Sequence, residues 1–225
     1  MALGYEMLRI ALAGGGGAQE SACLDRQFAA WIKPAGRLLY LPIALGWPEA
    51  EYSKAYTWLA SVFQPLGVER IDMWTRLEGR QPSALQRYAA VYLGGGNTFY
   101  LLHELRRSGL TNGLIRFARS GRPIYGGSAG AVVLGRDIVT AGHLDHNAVG
   151  LVDTAGLNLA LGSAVWVHHT AADNGCIERY AAEPGQRLFV LSERAGIAIE
   201  GGSARSVGFD PSWVVEDRHW YPLPS

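Results

Sequence analysis

Gly126, Ser128 and Gly130 stand at G-x-S-x-G spacing inside "IYGGSAGAVVLG", residues 124–135, and a serine set among residues this small is placed to attack a carbonyl. The spacing puts the hydroxyl on a sharp turn from a strand into a helix, where larger neighbours would collide with both elements. Such a nucleophile needs backbone donors for the oxyanion it creates. "VYLGGGNTFYLL", residues 91–102, offers them: Gly94, Gly95 and Gly96 follow the end of a strand and open a turn into a helix. Glycine leaves the N–H groups accessible, and a helix N-terminus favours negative charge. A tight loop or a phosphate-binding turn is the other use of the same glycines.

These turns need a sheet to hold them. Apolar runs at 8–13, 37–41, 69–74, 89–93 and 123–125 read as strands, alternating with stretches of helical periodicity. Leu24, Phe28, Ala29 and Ile32 recur at helical spacing before Pro34. Pro48 opens a second helix, with Tyr52, Tyr56, Leu59 and Phe63 on one face, and Pro65 closes it. Residues 98–121 read as two helices broken at Gly109 and Gly113, and "AGAVVLG" as one short buried helix. The alternation predicts an α/β fold with a mainly parallel central sheet. Runs at 137–140, 164–167, 188–191, 196–199 and 212–216 predict a mixed or antiparallel edge of that same sheet.

Composition narrows the function. Lys+Arg 20 balance Asp+Glu 20, so no long-range field gathers phosphates and nucleic acid is not an expected partner. Cys23 and Cys176 form neither a disulfide framework nor a metal motif and are expected as small buried hydrophobes. The apolar run at 8–13 is too short to span a membrane and lacks the flanks of a signal peptide. A soluble, cytoplasmic chain folding as one domain over residues 1–225 is the expectation. Gly14–17 fails G-x-G-x-x-G because Gln19 stands where the third glycine belongs, so it reads as a loop at the same sheet edge.

"LGGGNTFYLL" followed some 30 residues later by "GGSAGA" resembles the peptidase E (aspartyl dipeptidase) family of serine peptidases, which includes the cyanophycinases. The resemblance implies a flavodoxin-like, class I glutamine amidotransferase-like three-layer sandwich. It implies Ser128 as nucleophile, with an oxyanion hole from the N–H of Ala129 and of Gly95, or Gly96 next to it. "LNLALGSAVWVHHT" is similar to the family segment that ends on the catalytic histidine, giving His168 with His169 as its rival. "FVLSERAGIAIEGG" resembles the stretch carrying a glutamate, here Glu193, and Asp145 in "AGHLDHN" is the rival third member. Asn97 and Arg179 take substrate-binding places. The implied substrates are small peptides with an N-terminal aspartate, without a cofactor or metal, with no membrane partner and with room for a homodimer. The loop after His168 is shortened, and Glu178 falls where an ungapped match places the family's arginine, which disfavours an acidic side chain there.

Three other readings remain. His143, Asp145, His146, His168 and His169 could serve a metal hydrolase, though no HExxH is present. His219, late in the chain, suits an α/β-hydrolase esterase. A non-catalytic binding protein on the amidotransferase-like scaffold is the third.

Overall fold

Strands apolar on both faces must be covered twice, and the chain supplies the two covers in turn. The computed structural model describes residues 6–46 and 49–225. β1 (Arg9–Ala13) turns Ile10 and Leu12 to one layer and Ala11 and Ala13 to the other. α1 (Ala22–Trp31) buries Leu24 and Phe28, and after β2 (Arg37–Leu41) the helix α2 (Glu49–Phe63) buries Leu59 and Phe63 in the same layer. Pro48, expected to open that helix, lies outside the described residues. β3 (Arg70–Met73) and β4 (Ala90–Leu93) lead to α3 (Thr98–Arg107) and α4 (Leu110–Arg119), which cover the opposite face. β5 (Ile124–Gly127) then turns into α5 (Ala129–Leu134), every residue of which is buried.

The rest of the chain is shorter pieces: β6 (Ala164–Trp166), α6 (Asn174–Ala181), β7 (Arg187–Val190), β8 (Gly196–Glu200), β9 (Ser203–Ser206), β10 (Trp213–Glu216) and β11 (His219–Pro222). The main sheet has the order β3-β2-β4-β5-β1-β8-β9, parallel from β3 to β1, with β8 and β9 antiparallel at its edge. This is the expected three-layer α/β architecture with a mainly parallel sheet. Among the described residues no helix is long and apolar enough to cross a membrane.

Four expectations need correction. β6, β7, β10 and β11 are not part of the main sheet; they form a second one, ordered β11-β10-β7-β6. Val165, Val167, Phe189 and Leu191 face the main core, whereas Ala164, Trp166, Leu188 and Val190 face α6, so this sheet too is covered on both sides. Residues 137–140 are not a strand: Asp137 makes an isolated bridge to Ala155 and a 3-10 turn runs over Val139–His143. The helix break falls at Gly109 alone (φ +72°); Gly113 lies inside α4, where its missing side chain lets Pro82 and Leu85 pack close. Cys23 is half-buried and Cys176 exposed.

Tyr40, Tyr92 and Tyr125 pair at one register across β2, β4 and β5. All three lie in the α1/α2 layer, where Tyr92 and Tyr125 stack at 4.4 Å and Phe28 meets Tyr125 edge-on at 5.2 Å. Each such aromatic pair adds about 0.5–1.5 kcal/mol to burial alone.

Candidate active site

Five strand ends meet above the sheets, as parallel strands require of their carboxyl ends. β5 lies between β4 and β1, and its last residue hands the chain to Ser128. Ser128 has φ 49° and ψ −112°, a backbone state that costs about 1–3 kcal/mol and persists only where the surroundings enforce it. They do: the Ser128 N–H donates to Ala13 O at 3.2 Å, and its carbonyl accepts the N–H groups of Ala131 and Val132. A methyl on Gly130 would overlap the Leu93 carbonyl, and one on Gly126 would press 2.6 Å from the backbone of Gly130 and Ala131. The small residues are therefore demanded by close approach of backbone to backbone.

Gly95 runs beside Ser128, so close that a methyl there would lie 3.3 Å from Ser128 Cβ. On either side of it Gly94 N–H donates to Leu41 O and Asn97 N–H to Ala44 O. Among the described residues the N–H groups of Gly95 and Gly96 between them have no protein acceptor. Ala129 N–H, first in α5, has no carbonyl of its own helix to reach.

His168 follows β6 and Glu193 follows β7, parallel neighbours whose ends point the same way. His168 Nε2 lies 2.8 Å from Ser128 Oγ, and its Nδ1 lies 3.1 Å from Glu193 Oε1. A carboxylate only accepts, so the proton belongs on Nδ1 and Nε2 is free to accept from the serine. The His168 side chain is 28% exposed and that of Glu193 62%. Glycines 14–16 join the two sheets here: His168 N–H donates to Gly14 O at 2.9 Å, and Gly16 N–H to Glu193 O at 3.2 Å. A methyl on Gly15 (φ +116°) would overlap the His168 ring, so the imidazole is seated directly on bare backbone.

The other candidates are engaged elsewhere. Asp145 Oδ2 accepts the N–H of Thr98 at 2.8 Å, which places it at the start of α3. Asn97 caps the same helix, accepting from Tyr100 N–H, and donates to His146 O. Both ends of its amide thus make framework contacts. His169 Nε2 lies 2.8 Å from Asn174 Oδ1, with its ring tilted against Trp220, away from the serine. His143 stacks on Trp166, and exposed His219 bonds through Nδ1 to Asp217 O on its own turn. It is His168, not His219, that meets Ser128, against the esterase arrangement. Among the described residues no three His, Cys, Asp or Glu side chains group to hold a metal. Arg179 is exposed, its guanidinium 3.0 Å from Cys176 Sγ on the same helix, and Glu178 accepts from Trp220 Nε1 at 3.3 Å.

Sequence reasoning passed over Gly15 as a contact of the histidine and Asp25 as a buried acid below the serine. Asp25 had a legible signal, a charge beside Leu24 and three residues before Phe28 on an apolar face. Its residue is 2% exposed, and burial, partly offset by hydrogen bonds from Ser21 and Tyr125 and by Arg26, pushes its carboxyl up to about 6.

Residues 10–207 match the sequence signature of Peptidase family S51. An uncharacterized peptidase of Listeria monocytogenes serovar 1/2a is 35% identical over 138 residues, 60% of this chain and 67% of that protein. Peptidase E of Streptomyces coelicolor is 41% identical over 99 residues, 43% of this chain and 38% of that protein, so the match spans well under half of that relative. Two solved structures share the fold. A putative peptidase E of Listeria monocytogenes EGD-e superposes with TM-score 0.71 at 20% identity, over 91% of this chain and 100% of that one. A peptidase from an acI-B1 Actinobacterium does so with TM-score 0.75 at 17% identity, over 99% and 96%.

Proposed function

The chain belongs to Peptidase family S51 and is a peptidase, and from that premise we propose that it hydrolyses short peptides through a serine acyl-enzyme, with Ser128, His168 and Glu193 as its triad. The observation that carries the reading is the unbroken line of contacts from Ser128 Oγ through both His168 nitrogens to Glu193. His168 Nε2 takes the Ser128 proton as Oγ attacks the carbonyl, and Gly95 and Ala129 N–H groups receive the oxyanion. His168 then returns the proton to the departing amine, and water, activated by the same nitrogen, releases the acyl group. Glu193 holds the Nδ1–H tautomer and stabilises the imidazolium. The reading takes residues 1–225 as one catalytic domain acting in the cytoplasm.

The family resemblance implies N-terminal aspartate, whose carboxylate needs a cation. Arg179 is the arginine assigned to it, and it stands exposed on α6 beside Glu178, so aspartate is one first residue to assay. A panel of dipeptides and tripeptides varied at the first residue tests this with wild type, Ser128→Ala and His168→Ala. Each variant is expected to lose about 10⁵–10⁶ in kcat, whereas His169→Ala stays within about tenfold of wild type. Single-turnover mass spectrometry should trap an acyl group on Ser128; cleavage without one sinks the mechanism.

A further inference from the structure

A cavity of about 180 Å³ opens beside Ser128 and Gly95 and runs over Tyr92 and Tyr125 to Tyr40, Trp58 and Ser21. Its tyrosine hydroxyls approach the backbone just before Ser128 and Gly95. A methyl on Gly127 would lie 3.0 Å from Tyr92 Oη, and one on Gly94 would lie 3.2 Å from Tyr40 Oη. Behind the wall lies Asp25, with Tyr125 Oη donating to its Oδ1 at 2.8 Å and Ser21 Oγ to its Oδ2 at 2.7 Å.

That carboxylate sets the direction of the hydroxyls around it. A carboxylate accepts and cannot donate, so the Tyr125 and Ser21 protons turn toward Asp25 and away from the cavity. Tyr92 stacks on Tyr125 at 4.4 Å, and the one Tyr125 proton is already given to Asp25. Tyr125 and Ser21 therefore present oxygen lone pairs to the cavity, beside the aromatic faces of Tyr92 and Trp58. The Tyr40 hydroxyl, without a hydrogen-bond partner among the described residues, is free to accept too. No lysine or arginine is among the described residues that line the space. Lone pairs, ring faces and a buried negative charge attract a cationic donor and repel a carboxylate.

We propose that this cavity holds the residue whose carbonyl Ser128 attacks, that it selects a primary ammonium on that residue, and that Asp25 is the positioning residue which makes it selective. The proposal rests on Ser128 being the nucleophile, because only then does the cavity border the acyl side of the bond. An ammonium can come from a free peptide N-terminus or from a lysine side chain, and the two are separable.

The test is steady-state kinetics on the full chain with Ala-Leu, Nα-acetyl-Ala-Leu, Nα-acetyl-Lys-Leu and Asp-Leu. Wild type is expected to cleave Ala-Leu or Nα-acetyl-Lys-Leu at least tenfold better in kcat/KM than Nα-acetyl-Ala-Leu, which has no ammonium, and than Asp-Leu, which adds a carboxylate. Cleavage of Ala-Leu but not of Nα-acetyl-Lys-Leu assigns the α-ammonium; efficient cleavage of Nα-acetyl-Lys-Leu assigns the side chain. Asp25→Asn should raise KM for the preferred peptide about tenfold with kcat within threefold, and shrink its advantage over the acetylated one. Tyr92→Phe, which keeps the ring and removes one oxygen, carries the same test if Asp25→Asn does not fold. A preference for Asp-Leu, or discrimination unchanged in the folded variants, overturns the inference while leaving a Ser128-dependent peptidase standing. Cleavage of none of the peptides, or cleavage that survives Ser128→Ala, removes the peptidase mechanism and the inference with it.

Discussion

Ser128 and Glu193 reach the same histidine from surroundings that have little in common. Around the serine, β5 and α5 are wholly buried and the backbone is pressed into place by other backbone. Glu193 stands 62% exposed on a loop after β7, and its main chain and that of His168 are tied to the serine side by bonds to glycines 14 and 16. Ser128 is held by volume and His168 by a few hydrogen bonds. Close packing tolerates almost no change in residue type, whereas hydrogen bonds from backbone tolerate many side chains. A site can therefore be strongly specified in one half and lightly specified in the other.

Three changes should pull the halves apart. On the buried side, Asp25 titrates at about 6 in the folded chain against 3.8 in an unfolded one. The folded state holds its proton more tightly, so stability from this group is full below about pH 4 and is lost as pH rises through 6, by roughly 3 kcal/mol. Arg26, Tyr92 and Tyr125 are the charged and titratable groups that couple to it. Denaturant unfolding of wild type and Asp25→Asn across pH 4–8 should show the variant gaining by that amount; parallel curves would mean that Asp25 does not titrate there. Next comes the hinge between the halves. Gly15→Ala drives a methyl into the His168 ring and should cost about 10²-fold in kcat, the scale of a displacement near 1 Å, and about 1–3 kcal/mol in stability because the backbone there is at positive φ. Unchanged kcat would show that the ring is not seated on Gly15. Smallest is the exposed carboxylate: Glu193→Gln should lower kcat by about tenfold, because solvent already screens much of its charge. A loss like that of Ser128→Ala would mean the site closes over Glu193 when substrate binds.

The same contrast explains what could be read from the chain. The elbow is legible because its steric demands fall on contiguous residues, Gly126 to Gly130, and the helical layers because Leu24 with Phe28, and Leu59 with Phe63, keep the period. His168 and Glu193 are legible only through the family resemblance, since nothing in their own spacing links them across 25 residues. The second sheet was hidden by its burial: Val165 and Val167 read like residues of any central strand while Ala164 and Trp166 lie against α6. β9, with the sequence SARS, and β11, with HWYP, are edge strands without an apolar run, so they gave no signal. The tyrosine row was hidden differently, because Tyr40, Tyr92 and Tyr125 become neighbours only once the strand order is known.

The bonds from His168 N–H to Gly14 O and from Gly16 N–H to Glu193 O also set how the protein fails when heated. Regions held by few, exposed backbone bonds open at lower free energy than a packed core. The loop that carries His168 should open while β5 and α5 remain closed, so activity fades at temperatures where the central sheet still protects its amides from exchange. Inactivation and unfolding would then be two events, and cooling between them should restore the enzyme without any need to refold the serine's side.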